Sequence, residues 1–337
     1  MNRLLKNSNK YFFHSIYIEE GALNYPITKN IIEKYCNSNL IIIKHYKDVF
    51  NRTNQNFSVQ KQNQSLILAV KSKPFVYNGP DVCQNFGYSN FYYTSFLLNC
   101  IFDCEYCYLQ GMYPSSNIVA FVNIEDFKSE IKYITSKESV FLAASYDTDL
   151  IAFHNIVPYL DYFYDFFKSL PNLLVEVRTK SANESFYKTH KAIDNLIVAF
   201  TLSPDEIIKK YERSTPSLDA RIKAAKTAIS MGFKVRICLD PIFVGPDVDS
   251  FYEPFYNYLF SQINPNDILD IGYGFFRMSK DFFKRIEKIR PNSLLFCDDY
   301  SLKDGVLSYP SNLQEKIMKK HYEILTKYIN EDKIFSL

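Results

Sequence analysis

The sequence predicts an α/β protein: a partial, six-unit (β/α) TIM-like barrel preceded by an α/β extension. Two observations carry this. From Thr94 onward short apolar runs alternate with helical patterns, the order expected of parallel strands joined by crossover helices. A tight trio of cysteines, Cys100, Cys104 and Cys107, follows the first of these strands, at the carboxyl end where such barrels gather their chemistry. Strand order cannot be read from sequence, so an open doubly wound sheet stands as the structural alternative.

The elements follow in order. Residues 1–93 form the extension, with Gly21-Ala-Leu-Asn-Tyr-Pro26 before a helix over Ile27 to Cys36. The stretch from Asn51 to Ser65, rich in Asn and Gln with little apolar periodicity, reads as an exposed loop. Barrel strands are expected at 94–99, 139–144, 173–178, 196–201, 234–239 and 268–272. The helix from Leu218 to Met231 is marked by Pro216-Ser217 before it and Gly232 after it. Further helices are expected near 125–136, 155–169, 248–263, 279–289 and 311–328. The barrel thus occupies 94–300, and 301–337 supply a hairpin or loop and a last helix.

Composition narrows the class. A chain of 337 residues, 47% hydrophobic, can bury a large core, and no apolar run approaches the roughly 18 residues of a membrane span. Seven cysteines, three of them clustered, point to a reducing cytoplasm rather than a disulfide scaffold. A net charge of +2 leaves only local patches to meet a polyanion. There is no G-x-x-x-x-G-K phosphate loop and no H-E-x-x-H zinc helix, and Gly272-Tyr-Gly274 is too short for a dinucleotide fingerprint; it reads as backbone approached by a ligand.

The spacing Cys100-x3-Cys104-x2-Cys107 supplies three thiolates, which leave a four-iron cluster one ligand short and hence one iron open to a small chelating molecule. A structural zinc site is the competing reading, but it needs a fourth ligand, and Cys83, seventeen positions upstream, is the nearest. Cys36, Cys238 and Cys297 read as isolated, buried small side chains.

With an aromatic residue just before its third cysteine, the motif resembles the signature of the radical S-adenosylmethionine (SAM) superfamily. The run CEYCYLQ at 104–110, the upstream GALNYP and the segment TPSLDARIKAAKTAISMGFKV resemble the spore photoproduct lyase family over nearly the whole chain. The resemblance implies a radical SAM partial barrel, a 4Fe–4S cluster and SAM as cofactors, and a reductant such as ferredoxin or flavodoxin. The implied partner is DNA containing thymine dimers, and the implied location is cytoplasmic, or the core of a spore. Split SAM would give a 5′-deoxyadenosyl radical that takes hydrogen from the lesion, after which a cysteine just beyond the second strand returns one.

Here that place reads Ala143-Ala144-Ser145-Tyr146-Asp147, with Ser145 where the family has its thiol. An aliphatic O–H is too strong to quench a carbon radical, so Tyr146, or Tyr106 and Tyr108, which match the family's tyrosine pair, are the expected donors. Their alternative is core packing. By the same resemblance Lys180, Thr201, Asp240 and Tyr108 lie where SAM is held, with a solvated charge as the alternative for Lys180 and a structural cap for Asp240. Lys280, Lys284 and Lys288 fall on one helical face, suited to phosphates or simply to solvent. The family's basic aromatic hairpin is represented only by the shorter Tyr300 to Pro310. Ser145 and that hairpin keep open a paralogue acting on another substrate. A non-catalytic zinc or iron–sulfur nucleic-acid-binding module is the third reading.

Overall fold

In the computed structural model, residues 13–245 and 249–336 are described, so the first residue of the helix expected from 248 lies outside them. Six parallel strands stand side by side in chain order: β1 (Phe91–Thr94), β2 (Val140–Ala143), β3 (Leu173–Thr179), β4 (Leu196–Thr201), β5 (Lys234–Ile242) and β6 (Asp270–Phe275). The antiparallel strand Val76–Asn78 flanks β1, and Ile334–Ser336 runs parallel beside β6. A doubly wound sheet would reverse its order at a switch point; this one never does, which is the arrangement of a partial barrel. β4 and β6 are buried along their whole length, and most residues of β3 and β5 are too, as sheets covered on both faces require.

Helices return the chain between strands, and their ends follow local rules. The helix Leu218–Ser230 begins at Ser217, whose hydroxyl accepts from Ala220 N at 3.4 Å. We label as α1 the helix Lys280–Ile289, which buries Phe283 and Ile286 and leaves Lys280, Lys284 and Lys288 exposed. Among the described residues no helix is long and apolar enough to cross a membrane.

The expected first strand, 94–99, is divided between two sheets. β1 ends at Thr94; the chain then turns, and Leu97–Leu98 pairs antiparallel with Ile118–Phe121 in a second, five-stranded sheet. The order there is Asn39–Ile43, Ser15–Glu19, Leu66–Ala69, Ile118–Phe121, Leu97–Leu98. The switch was hidden because Thr94 to Asn99 is buried throughout, whichever sheet each half joins.

Three further expectations are corrected. The polar stretch 51–65 contains a helix, Phe57–Gln62, capped by Asn56, whose side chain accepts from Val59 N at 3.0 Å. Cys36 and Cys297 are exposed rather than buried, while Cys238 lies in the core as expected. The space at Gly272 is filled by protein rather than ligand: a Cβ there would stand 2.8 Å from the ring of Phe86.

Candidate active site: the cysteine loop and the barrel mouth

The loop that carries the cysteines begins with Asn99 in the left-handed region (φ 71°), a conformation asparagine tolerates. Its amide donates to the carbonyls of Ser115 and Asn117 at 2.8 and 2.7 Å, fixing the turn. Asp103–Cys104 then pairs with Glu212–Arg213, and Gln110 Nε2 donates to the Cys104 carbonyl at 2.6 Å. The short helix Leu109–Met112 closes the loop and packs on α1. Gly111 is what permits this, since a Cβ would meet Phe282 Cα at 2.6 Å. Arg285 donates to the Gly111 carbonyl at 3.0 Å, and Arg290 donates to Gln110 Oε1 at 2.9 Å and pairs with Asp103.

The polar stretch misread as loop is the other wall of this site. Lys61 Nζ donates to the Cys100 carbonyl, Gln64 Nε2 donates to the same oxygen at 3.2 Å, and Gln60 Oε1 accepts from Ser116 N at 3.0 Å. Burial lowers the Lys61 ammonium, and the nearby cysteine thiols and Asp103 act against that shift. Only the Asn56 cap signalled this helix in the sequence; its partners are backbone carbonyls some forty residues away.

The donor set fits an iron–sulfur cluster. One of the sulfurs already accepts a backbone N–H group, Cys100 Sγ from Phe102 at 3.4 Å, the kind of bond that tunes cluster sulfurs. Burial pushes all three thiols up, Cys100 to about 12, so they ionise in company with a cation. Lys61 and Lys180 stand close enough to offset the negative charge. Among the described residues no group of three His, Cys, Asp or Glu side chains is placed to hold one metal ion. The hydroxyls of Ser145 and Thr148 are buried without a hydrogen-bond partner, which suits polar atoms of a bound molecule.

Two groups of residues surround the loop. In the first, Lys180 Nζ sits 5.4 Å from the centre of the Tyr106 ring, and the Tyr106 hydroxyl donates to Glu212, which pairs with the buried Arg221. Burial alone would raise the Glu212 carboxyl, but the charges of Arg221 and Lys180 outweigh it and hold it below the usual range. Arg221 also donates to the Thr201 carbonyl at 3.2 Å, tying the end of β4 to this group.

The second group lies beyond β2. Tyr108 Oη donates to the Tyr146 carbonyl at 2.7 Å and to Asp147 Oδ1 at 3.2 Å, and Ser95 Oγ donates to Asp147 Oδ2 at 2.5 Å. The Tyr146 ring stacks on Tyr93 at 4.0 Å and lies 5.8 Å from Tyr108. Cys83 Sγ and Tyr146 Oη share a hydrogen bond at 3.6 Å. Cys83, the nearest fourth ligand for a zinc site, is brought instead beside Tyr146, one residue past Ser145. Asp240 lies on this side too, both of its oxygens taken by Arg277 at 3.1 and 3.0 Å.

The family model described as spore photoproduct lyase matches residues 11–334. The spore photoproduct lyase of Bacillus subtilis is 25% identical over 306 residues, 86% of each chain. That of Clostridium acetobutylicum is 23% identical over 318 residues, 90% of this chain and 91% of the relative. A solved spore photoproduct lyase complexed with dinucleoside spore photoproduct superposes with a TM-score of 0.83 at 17% identity, covering 97% of this chain and 98% of the other. A variant with bound AdoMet and the same dinucleoside gives 0.80 at 19% identity, with 97% and 99% covered.

Proposed function

The chain belongs to the spore photoproduct lyase family, and from that premise we infer that it is a radical SAM lyase returning the spore photoproduct, a thymine dimer in DNA, to two thymines. The observation that carries this reading is the loop of three thiols after β1, one of them already accepting a backbone N–H group, opening on a wall of tyrosines. Cys100, Cys104 and Cys107 would hold a 4Fe–4S cluster, and Lys180, Thr201 and the unpartnered hydroxyls of Ser145 and Thr148 would meet polar groups of SAM. When bound, cluster and SAM supply the 5′-deoxyadenosyl radical that takes hydrogen from the lesion.

What this chain's own residues do follows from bond strengths. Ser145 cannot return a hydrogen atom, so we assign that step to Cys83. Its S–H bond breaks as a C–H bond forms on the thymine radical. The sulfur radical left behind takes the hydrogen of its neighbour Tyr146, and one electron and one proton from a one-electron reductant of the ferredoxin or flavodoxin class restore the phenol. Asp147, accepting from Ser95 and Tyr108, keeps the tyrosines in place. The exposed stripe of Lys280, Lys284 and Lys288 would engage DNA phosphates beside the cysteine loop, to which α1 is fastened.

The test is anaerobic turnover of a dinucleotide spore photoproduct with SAM and dithionite. Two thymines should form, and Cys83→Ala should reduce repair by at least tenfold per SAM cleaved. Cleavage of SAM with no thymine formed would move the assignment to a paralogue with another substrate. The compact hairpin favours that second reading, since its strands Ser301–Lys303 and Val306–Ser308 turn tightly at Asp304-Gly305, both at positive φ.

A further inference from the structure

The segment that delivers Cys83 connects the edge strand Val76–Asn78 to β1; it runs over the surface, but one of its residues, Phe86, is driven into the protein. Its Phe86 ring is buried against Phe141, Ala199 and Cys238, and lies 3.2 Å over the guanidinium of Arg236. Gly272 leaves the room for that ring. Phe86 itself is left-handed (φ 53°), a backbone that a bulky side chain keeps only where its surroundings hold it. Gln84 Nε2 donates to the Ser336 carbonyl at 2.9 Å, and Gln84 Oε1 accepts from Phe86 N at 3.0 Å. From Phe86, seated against the strands, the chain runs back to Cys83 beside Tyr146, which follows β2.

One more fastening acts next to the thiol. Arg277 Nε donates to the Val82 carbonyl at 2.8 Å. Its two terminal nitrogens are taken by Asp240, and one also donates to the Phe275 carbonyl at 2.9 Å. Every guanidinium nitrogen is therefore used, and all of the anchors lie in or beside β5 and β6, the framework strands. Val82 itself is 45% exposed, so its own side chain contributes little to holding the segment.

We propose that Arg277 is a positioning residue: clamped by Asp240, it grips the backbone at Val82 and so sets where the Cys83 thiol stands relative to Tyr146 and the bound lesion. A planar fork is suited to this because it can serve a carboxylate and a carbonyl at fixed angles, which a lysine cannot reproduce. The proposal rests on Cys83 returning the hydrogen.

The experiment compares wild type, Cys83→Ala, Arg277→Gln and Arg277→Lys in anaerobic D2O with dinucleotide spore photoproduct. Repaired thymine and its deuterium content are measured per SAM cleaved. Wild-type product should carry one deuterium delivered from the exchanged thiol, and both Arg277 variants should lower repair per SAM cleaved by roughly fivefold or more, with products of aborted repair in its place.

A readout without turnover runs beside it. In protein whose exposed Cys36 and Cys297 are changed to serine, Arg277→Gln should raise the rate of Cys83 alkylation by iodoacetamide at least threefold, since the segment loses its nearest tether. Arg277→Lys, which keeps a positive charge opposite Asp240, serves if the Gln variant does not fold. Should both Arg277 variants match wild type in yield and deuterium while Cys83→Ala fails, the clamp has no positioning role and the thiol assignment stands. Should Cys83→Ala itself match wild type, the thiol assignment falls and takes the clamp with it.

Discussion

Gly111→Ala tests how tightly the cysteine loop is bound to the basic helix. The new methyl would lie 2.5 Å from Phe282 Cβ, 2.6 Å from its Cα and 2.8 Å from its carbonyl oxygen. Two of those atoms are backbone, so no rotamer change relieves the clash. Ordinary carbon contacts begin near ~3.5 Å, so α1 must retreat by roughly 1 Å. Overpacking of this kind costs about 1–3 kcal/mol. The retreat also stretches the 3.0 Å bond from Arg285 to the Gly111 carbonyl past bonding range, a charged hydrogen bond worth about 1.5–3 kcal/mol. Against this, alanine favours the helix by up to about 1 kcal/mol. The net loss is about 2–5 kcal/mol. For 337 residues, at about 2.1 cal/mol/K each, the unfolding entropy is about 0.7 kcal/mol/K, which makes the shift roughly 3–7 °C. Thermal melts by circular dichroism on metal-free protein measure it, and iron retained per chain after anaerobic reconstitution should fall in parallel. A melting temperature equal to or above wild type would mean that propensity outweighs the clash, and that α1 does not press on the loop.

Two further outcomes are expected. His321 is buried and its Nδ1 shares a hydrogen bond with the Tyr256 hydroxyl (2.6 Å), and burial pushes it down to about 4 from an unfolded value near 6.5. The unfolded chain therefore binds the proton first, so this contribution is complete above about pH 6.5 and is lost as pH falls towards 4, about 3 kcal/mol in all. His321→Gln should flatten the dependence of melting temperature on pH across that window, and parallel curves for the two proteins would refute the assignment. Lys61→Gln removes a half-buried positive charge beside all three thiols. At an effective dielectric near ~20 such a charge is worth about 1–3 kcal/mol to an added electron, so the potential of the reconstituted cluster should fall by roughly 50–150 mV in an EPR titration. An unchanged potential would show that the ammonium is screened from the sulfurs.

What the sequence disclosed was local, and what it withheld depended on distant partners. The trio Cys100, Cys104 and Cys107 was legible because all three ligands lie within one short loop, and the helix Leu218–Ser230 because its cap and stop are written beside it. The Phe57–Gln62 helix was missed because its worth lies in carbonyls of the cysteine loop rather than in any apolar stripe. Arg277 and Asp240 were separable from other surface charges only once neighbouring strands brought them together across 37 positions. Cys83 had no signal at all, since a thiol gains meaning there only through what stands opposite it. Gly272 was assigned its small size correctly and its neighbour wrongly, because a missing side chain does not say what occupies the space.

The crossing of the chain between Thr94 and Leu97 from one sheet into the other has an engineering consequence. The segment that carries the thiols is suspended between two layers, and its upper support comes from Gln60, Lys61 and Gln64, well before the first barrel strand. Anyone wishing to pare the enzyme to a minimal catalytic body by trimming its opening ninety residues would be cutting away the roof over the three cysteines, and the shortest useful truncation must start upstream of the helix Phe57–Gln62.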